Sequence, residues 1–191
     1  MSYTREQIEL AVKAKGYKYF ENGELNLNII GIRNSATGQK VTNKFDDHLA
    51  LIYKEKGEWQ FHIWPITTDN GGGTARVKPG QYPGSHHIGL HQGKYECLKQ
   101  KAPLTVFRDL TNDGIYQEDK TETGVFGINI HKAGVDSQDV NSWSHGCQVF
   151  KRIADFDKFL AICKRAKAIQ GDSFTYTLIQ SKDIVTDGTK A

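Results

Sequence analysis

The chain has no run of eighteen apolar residues, and its opening, Met1-Ser2-Tyr3-Thr4-Arg5-Glu6-Gln7, lacks the apolar centre of a secretory signal. These absences predict a protein without membrane insertion, made in the cytoplasm without a signal peptide. Charge of one sign is also scarce: 25 basic residues stand against 22 acidic ones, a net +3 scattered along the chain. So diffuse an excess leaves no electrostatic footprint for nucleic acid. Proline is rare, with 4 residues against 19 glycines, and there are 3 cysteines, Cys97, Cys147 and Cys163. An odd number without CxxC spacing argues against a disulfide framework and a structural zinc ribbon, and leaves at least one thiol free.

With 38% hydrophobic and 25% charged residues over 191 positions, the composition is that of a folded, turn-rich chain. The length suits one domain, residues 1–191, with a polar tail from about 182. We expect a β-rich α+β fold. Thr4 with Gln7 forms a capping box, and Ile8, Ala11 and Val12 share a face, so Thr4 to Lys15 reads as a helix ending at Gly16. Asn22-Gly23 predicts a hairpin turn before a strand from Leu25 to Arg33, and Asn34 to Asn43 reads as a loop. Leu49–Tyr53 and Trp59–Trp64 flank Lys56-Gly57-Glu58 as a second hairpin.

Thr68 to Thr74 reads as a mobile hairpin tip rather than a phosphate loop, because Ala75-Arg76-Val77-Lys78-Pro79 cannot open the required helix. Tyr95–Leu98 and Leu104–Asp109 read as strands, Thr111-Asn112-Asp113-Gly114 as a turn, Glu118–Thr123 as a charged loop, and Val125–His131 as a strand. The Asp109–Gly114 stretch resembles a calcium loop only in passing, since the later bidentate carboxylate is missing. Asp155 to Ala168 carries the stripe Phe156, Phe159, Leu160, Ile162, Cys163 and Ala166, predicting a helix with Asp155 as N-cap and Cys163 as a core thiol. Phe174–Ile179 closes the fold as a strand.

Cys147 stands apart from the other thiols. It follows Ser144-His145-Gly146 in a polar turn with few apolar neighbours, the setting in which an exposed, activated thiol is expected. His131 ends the apolar run Gly127-Ile128-Asn129-Ile130 and could serve as its base, lowering the thiol pKa and returning the proton to a leaving group. A backbone carbonyl, Asp136 or Asp139 could orient the far nitrogen of that base. Gly146 would allow close backbone approach and a positive φ. Ser144 is either a bonding member of this turn or a plain turn serine. His86, His87 and His91 raise a zinc hypothesis, but Gly84, Gly89 and Gly93 deny them a helix, and they read as solvated or cleft-lining. No metal and no cofactor is expected.

A histidine, a loop of a dozen or more residues, and then Ser-His-Gly-Cys resembles the signature of the L,D-transpeptidase catalytic domain, a family of cysteine acyltransferases of bacterial peptidoglycan. Lys78-Pro79-Gly80-Gln81-Tyr82 is similar to an upstream turn of that family, so the likeness spans roughly residues 60 to 152. The resemblance implies a mixed sheet or sandwich with an N-terminal and a C-terminal helix outside. It implies Cys147 as the thioester nucleophile, His131 as base, and backbone N–H groups around His145, Gly146 and Cys147 as the oxyanion hole, with Ser144 in the same turn. Tyr82, His91, Tyr95 and Gln148 are the candidate substrate contacts, His91 and Tyr95 because the matching region forms one side of the family's groove. After the cysteine the chain departs from the family pattern with Cys147-Gln148-Val149-Phe150, which looks more like divergent members carried by bacteriophages.

The implied partner is bacterial peptidoglycan, met as a monomer after release from the cell. Hydrolysis of stem peptides or cross-links is favoured by the missing signal and the phage-like Gln148, in keeping with a lysis enzyme. True L,D-transpeptidation would use the same residues with an amine in place of water. A non-enzymatic wall-binding protein retaining the fold is a third class, against which the intact Cys147, His131 and Gly146 count.

Overall fold

The computed structural model describes residues 3–34, 39–71, 75–135 and 137–185. In chain order the elements are helix α1 (Arg5–Ala14), strands β1 (Asn28–Arg33), β2 (Asp47–Glu55), β3 (Glu58–Thr67), β4 (Ala75–Val77), β5 (Gly80–His91), β6 (Tyr95–Gln100), β7 (Leu104–Arg108), β8 (Gln117–Gly124), β9 (Ile130–Lys132) and β10 (Gln148–Phe150), helix α2 (Ile153–Gln170) and strand β11 (Phe174–Gln180). Eight strands close a mixed barrel in the order β1-β11-β5-β6-β9-β10-β3-β2, and β4-β7-β8 form a small separate sheet. The fold is therefore β-rich, with two helices and a mixed sheet. No helix among the described residues is long and apolar enough to cross a membrane.

Local signals explain several elements. Thr4 Oγ1 accepts from Gln7 N and Gln7 Oε1 accepts from Thr4 N, so the capping box forms and α1 starts where it directs. β2 and β3 pair in register through a Lys56-Gly57 turn whose two residues both have positive φ, 52° and 81°, the twist that suits a two-residue hairpin. Alternation along the strands sorts side chains onto two faces. Leu49, Leu51 and Tyr53 join Ile29, Trp64, Phe150, Tyr176 and Leu178 in the interior cluster. Ala50 and Ile52 face outward with Ile30, Ile32 and Ile179, and α1 covers them with Ile8, Ala11 and Val12. Burial of Ile8 there contributes about 2 kcal/mol.

The second helix departs from the expected placement. Phe156, Phe159, Leu160, Ile162, Cys163 and Ala166 belong to the interior cluster, so α2 packs against the inward-facing side chains and not on the outer wall as α1 does. Its aromatic residues match the inward-facing Trp64 and Phe150, with Phe150 and Phe159 ring centroids 5.1 Å apart. The helix also begins two residues before the expected Asp155 cap, at Ile153, with Arg152 in the cap position and Asp155 in the first turn. Gly171, at φ 88°, ends it.

Several local assignments change. Asn22-Gly23 bends the chain without making a hairpin, because the Asn28 side chain bonds both the N–H and the carbonyl of Phe20 and takes the place of strand pairing. Glu118–Thr123 lies within strand β8, which pairs antiparallel with β7; as an exposed edge strand it tolerates charge, and charge there discourages pairing with other chains. Residues 80–91, a region of closely spaced glycines and histidines, form the twelve-residue strand β5 between β11 and β6. The expected strand Val125–His131 is paired only from Ile130. Before that, Gln100 Oε1 accepts from Phe126 N and Ile128 N, and Asn129 Oδ1 accepts from Gln100 N, so side chains do the work of a neighbouring strand.

Candidate active site

Cys147 stands immediately before β10, which runs parallel to β9 with Gln148 opposite Ile130 and Val149 opposite His131. Alternation then places Cys147 and Val149 on the face that carries His131, and Gln148 on the other. Burial agrees with this parity. Cys147 packs against the outer cluster of Phe45, Ala133, Val140 and Val149, whereas Gln148 is buried toward Tyr176.

The turn before Cys147 is braced from within. Ser144 Oγ donates to the Cys147 carbonyl at 2.8 Å and accepts from Gly146 N at 3.2 Å, which makes Ser144 a structural member of the turn. Gln148 Nε2 donates to the Gly146 carbonyl, and Tyr176 Oη donates to Gln148 Oε1 at 2.6 Å. Gly146 has φ 129°, and a Cβ there would lie 3.0 Å from the Ala75 carbonyl oxygen, so both conformation and space require glycine. Because Gly146 N is engaged by Ser144, the backbone donors left at the turn are His145 N and Cys147 N, neither of which makes a hydrogen bond among the described residues.

His131 is buried, with its ring face to face on His91 at a centroid separation of 4.1 Å and an interplanar angle of 22°. Its Nδ1 lies 2.9 Å from the Lys132 carbonyl oxygen, which can only accept, so Nδ1 carries the proton. Nε2 is then the basic nitrogen, and it makes no hydrogen bond among the described residues. Tyr95 Oη lies 3.2 Å from the same Nδ1 and 3.4 Å from the same carbonyl. The orienting group is thus a backbone carbonyl. Asp139 is paired with Lys44 instead, and Asp136 lies outside the described residues. Asn129 Nδ2 reaches His91 Nδ1 at 3.2 Å, so Asn129 fixes the ring that stacks on His131.

The electrostatics describe a neutral pair at rest. Burial, then the nearby His91, pushes His131 down to about 4. Burial pushes the Cys147 thiol up, opposed by the Asn129 N–H, which points at Sγ from 3.4 Å. Cys147 Sγ donates to the Gly127 carbonyl at 3.6 Å, and no hydrogen bond joins it to His131 among the described residues. The two side chains share a face but not a bond in this state: His131 is held by Lys132, Tyr95 and His91, and the thiol by Gly127 and Asn129. Separate recesses open beside them. One of about 310 Å³ is lined by Ala75, Arg108, Phe126, Gly127, Ile128, His145 and Cys147. The other, about 270 Å³, is lined by His91, Gln92, Lys94, Tyr95, His131, Ser142 and Trp143.

A buried ionic network supports the turn from below. Asp69 pairs with Arg76 at 2.7 Å and Arg33 at 3.2 Å, Arg33 also donates to the Thr68 and Val77 carbonyls, and Asp47 accepts from Thr68 N and Oγ1. Thr68, Asp69 and Asn70 are therefore buried and bonded, not a mobile tip; residues 72–74 lie outside the described residues. From this anchored segment Gly71 N donates to the Ser144 carbonyl, and Asn70 Nδ2 donates to the Ala75 carbonyl beside Gly146. Charges so buried are tolerated only because each is paired and hydrogen-bonded.

Of the residues singled out by sequence, the structure brings Cys147, His145, Gly146 and Ser144 into one turn and His131, His91 and Tyr95 into one cluster beside it. Two others fall elsewhere. Gln148 is fully buried behind the turn, so its place is bracing and not substrate contact. Tyr82 Oη donates to the Lys78 and Thr105 carbonyls, pinning the Lys78–Gly80 turn, and Tyr82 is in the wall of neither recess. His86 is buried, with Nε2 on the Ile128 carbonyl and Nδ1 on Ser85 Oγ, so the three histidines do not form one cluster: His86 faces inward and His91 reaches the site. Asn129 and Arg108 escaped sequence reasoning. The first lay in plain view between Ile128 and Ile130, a polar residue in an apolar run; nothing local marked the second. No family model, curated protein or solved structure matches the chain.

Proposed function

We propose that this protein is a cysteine-dependent peptidoglycan hydrolase of the L,D-transpeptidase type, cleaving stem peptides or cross-links through a thioester on Cys147. The observation that carries the proposal is the placement of Cys147 and His131 on one face of adjacent parallel strands, with His131 Nδ1 tied to the Lys132 carbonyl so that the Nε2 lone pair is free. The peptidoglycan assignment rests on the resemblance of the His131 and Ser144-His145-Gly146-Cys147 pattern. A β-rich mixed sheet with two helices is compatible with it.

In the proposed reaction the thiol leaves the Gly127 carbonyl, turns toward His131, and gives its proton to Nε2 as Sγ attacks the amide carbonyl. Two backbone donors, His145 N and Cys147 N, face the developing oxyanion, a contribution of about 3 kcal/mol per donor in comparable sites. His131 then protonates the leaving amine, and the thioester remains. Water attacks the thioester, its proton passes to Nε2, and collapse of the adduct releases a carboxylate and restores the thiol. Transpeptidation differs only in that an amine replaces the water, and the recess beside His131 offers space for one.

Incubation with purified muropeptides, followed by mass analysis of the products, tests the proposal. Shortened or separated stems without new dimers are the expected result, and Cys147→Ala must be silent. New cross-linked dimers or exchange of a terminal amino acid would establish transfer instead; products made equally well by Cys147→Ala would defeat the cysteine mechanism.

A further inference from the structure

Arg108 ends β7 in the small sheet, far in sequence from Cys147, yet both side chains line the same recess. Its guanidinium lies 4.8 Å from the centroid of the Phe126 ring, another wall residue. Arg108 Nε and Nη2 both engage Glu122 Oε2, at 2.7 and 2.6 Å, and Glu122 is not among the residues that line the recess. Nη1 makes no hydrogen bond among the described residues. A guanidinium held by an aromatic face and one carboxylate oxygen, with one nitrogen still unused, is pre-oriented to bind a further planar anion. Besides Cys147 itself, the other charged or titratable wall group is His145, and no carboxylate is among the residues that line the recess.

We propose that Arg108 makes the Cys147 recess selective for acyl donors bearing a carboxylate close to the bond attacked, so that the substrates are acidic peptides and not neutral amides. The proposal rests on Cys147 being the nucleophile. It adds a specificity-determining residue, carried by the small sheet and acting on substrate binding, not on thiol activation. A neutral donor of equal size would fill the recess and leave Nη1 with water as its only partner.

Alkylation by iodoacetate and iodoacetamide tests this without knowledge of the natural substrate, because the reagents differ in the carboxylate alone. Each forms an S–C bond and expels iodide. Cys97 and Cys163 are fully buried, so labelling of the folded chain, read by peptide mass, reports Cys147. At low ionic strength the ratio of the iodoacetate to the iodoacetamide rate should fall about fivefold or more in Arg108→Gln, the ratio cancelling any change in thiolate fraction that both reagents share. Arg108→Lys should retain most of the ratio, Glu122→Gln should raise it, and added salt should lower it in the wild type. If Arg108→Gln does not fold, the Glu122 and salt arms still decide.

An unchanged ratio in Arg108→Gln, or a ratio that falls in His145→Gln instead, overturns the proposal. So do equal losses for both reagents. A wild-type Cys147 that neither reagent labels removes the nucleophile itself, an outcome separable from a lost preference between the two.

Discussion

Acid should destabilise this fold through two buried histidines, His86 on β5 and His131 on β9. His86 and His131 are each held at about 4, both principally by burial, against an ordinary value of 6.5. A histidine with a depressed folded pKa binds more protons when unfolded, so stability is full above about pH 6.5 and is lost as pH falls toward 4. Between pH 7 and pH 5 each such group removes about 2 kcal/mol, or about 4 kcal/mol together. Asp47, held above the usual carboxylate range by burial and by the Asp69 charge, acts in the opposite sense and restores part of this. A net loss of about 2 kcal/mol or more remains, which for a chain of this size lowers Tm by about 4–8 °C. Urea unfolding at pH 7 and pH 5, at constant ionic strength, measures the difference. His86→Gln, which takes away about 2 kcal/mol of the loss, should remove most of the difference. Equal or greater stability at pH 5 would refute the claim that both imidazoles are buried and neutral.

The turn and its foundation make further predictions. Gly146→Ala should cost about 1–3 kcal/mol through its positive φ and the crowded Ala75 carbonyl, and should lower kcat by about a hundredfold as the backbone donors shift, measured by turnover and thermal melting together. Asp69→Asn leaves Arg33 and Arg76 short of a buried counter-charge and should destabilise the protein by about 3–5 kcal/mol in urea titration, more than any substitution on the exposed strand β8.

Local chemistry made parts of this protein readable in one dimension. The capping box of Thr4 and Gln7 depends on residues three apart, the Lys56-Gly57 turn on two neighbours, and the apolar stripe of α2 on the helical repeat, so none needed knowledge of distant partners. The candidate nucleophile was readable for the same reason: Ser144, Gly146 and Cys147 are bonded to one another within four residues. Pairing Cys147 with His131 rested on spacing and on the family resemblance, and among the described residues no hydrogen bond joins the two side chains.

Tertiary structure decided everything that depends on strand pairing. Strand parity turns Gln148 inward to Tyr176 and Cys147 outward to its neighbours, a distinction of one residue that the motif alone does not express. The β5–β6 hairpin lifts His91 onto His131, and the small sheet carries Arg108 to the wall of the Cys147 recess. Charged β8 became a strand because β7 offered it a ladder, and α2 went to the interior because Trp64 and Phe150 met its aromatic stripe there. Such contacts join residues tens of positions apart, and their energy exists only once the barrel has closed and put the partners within reach.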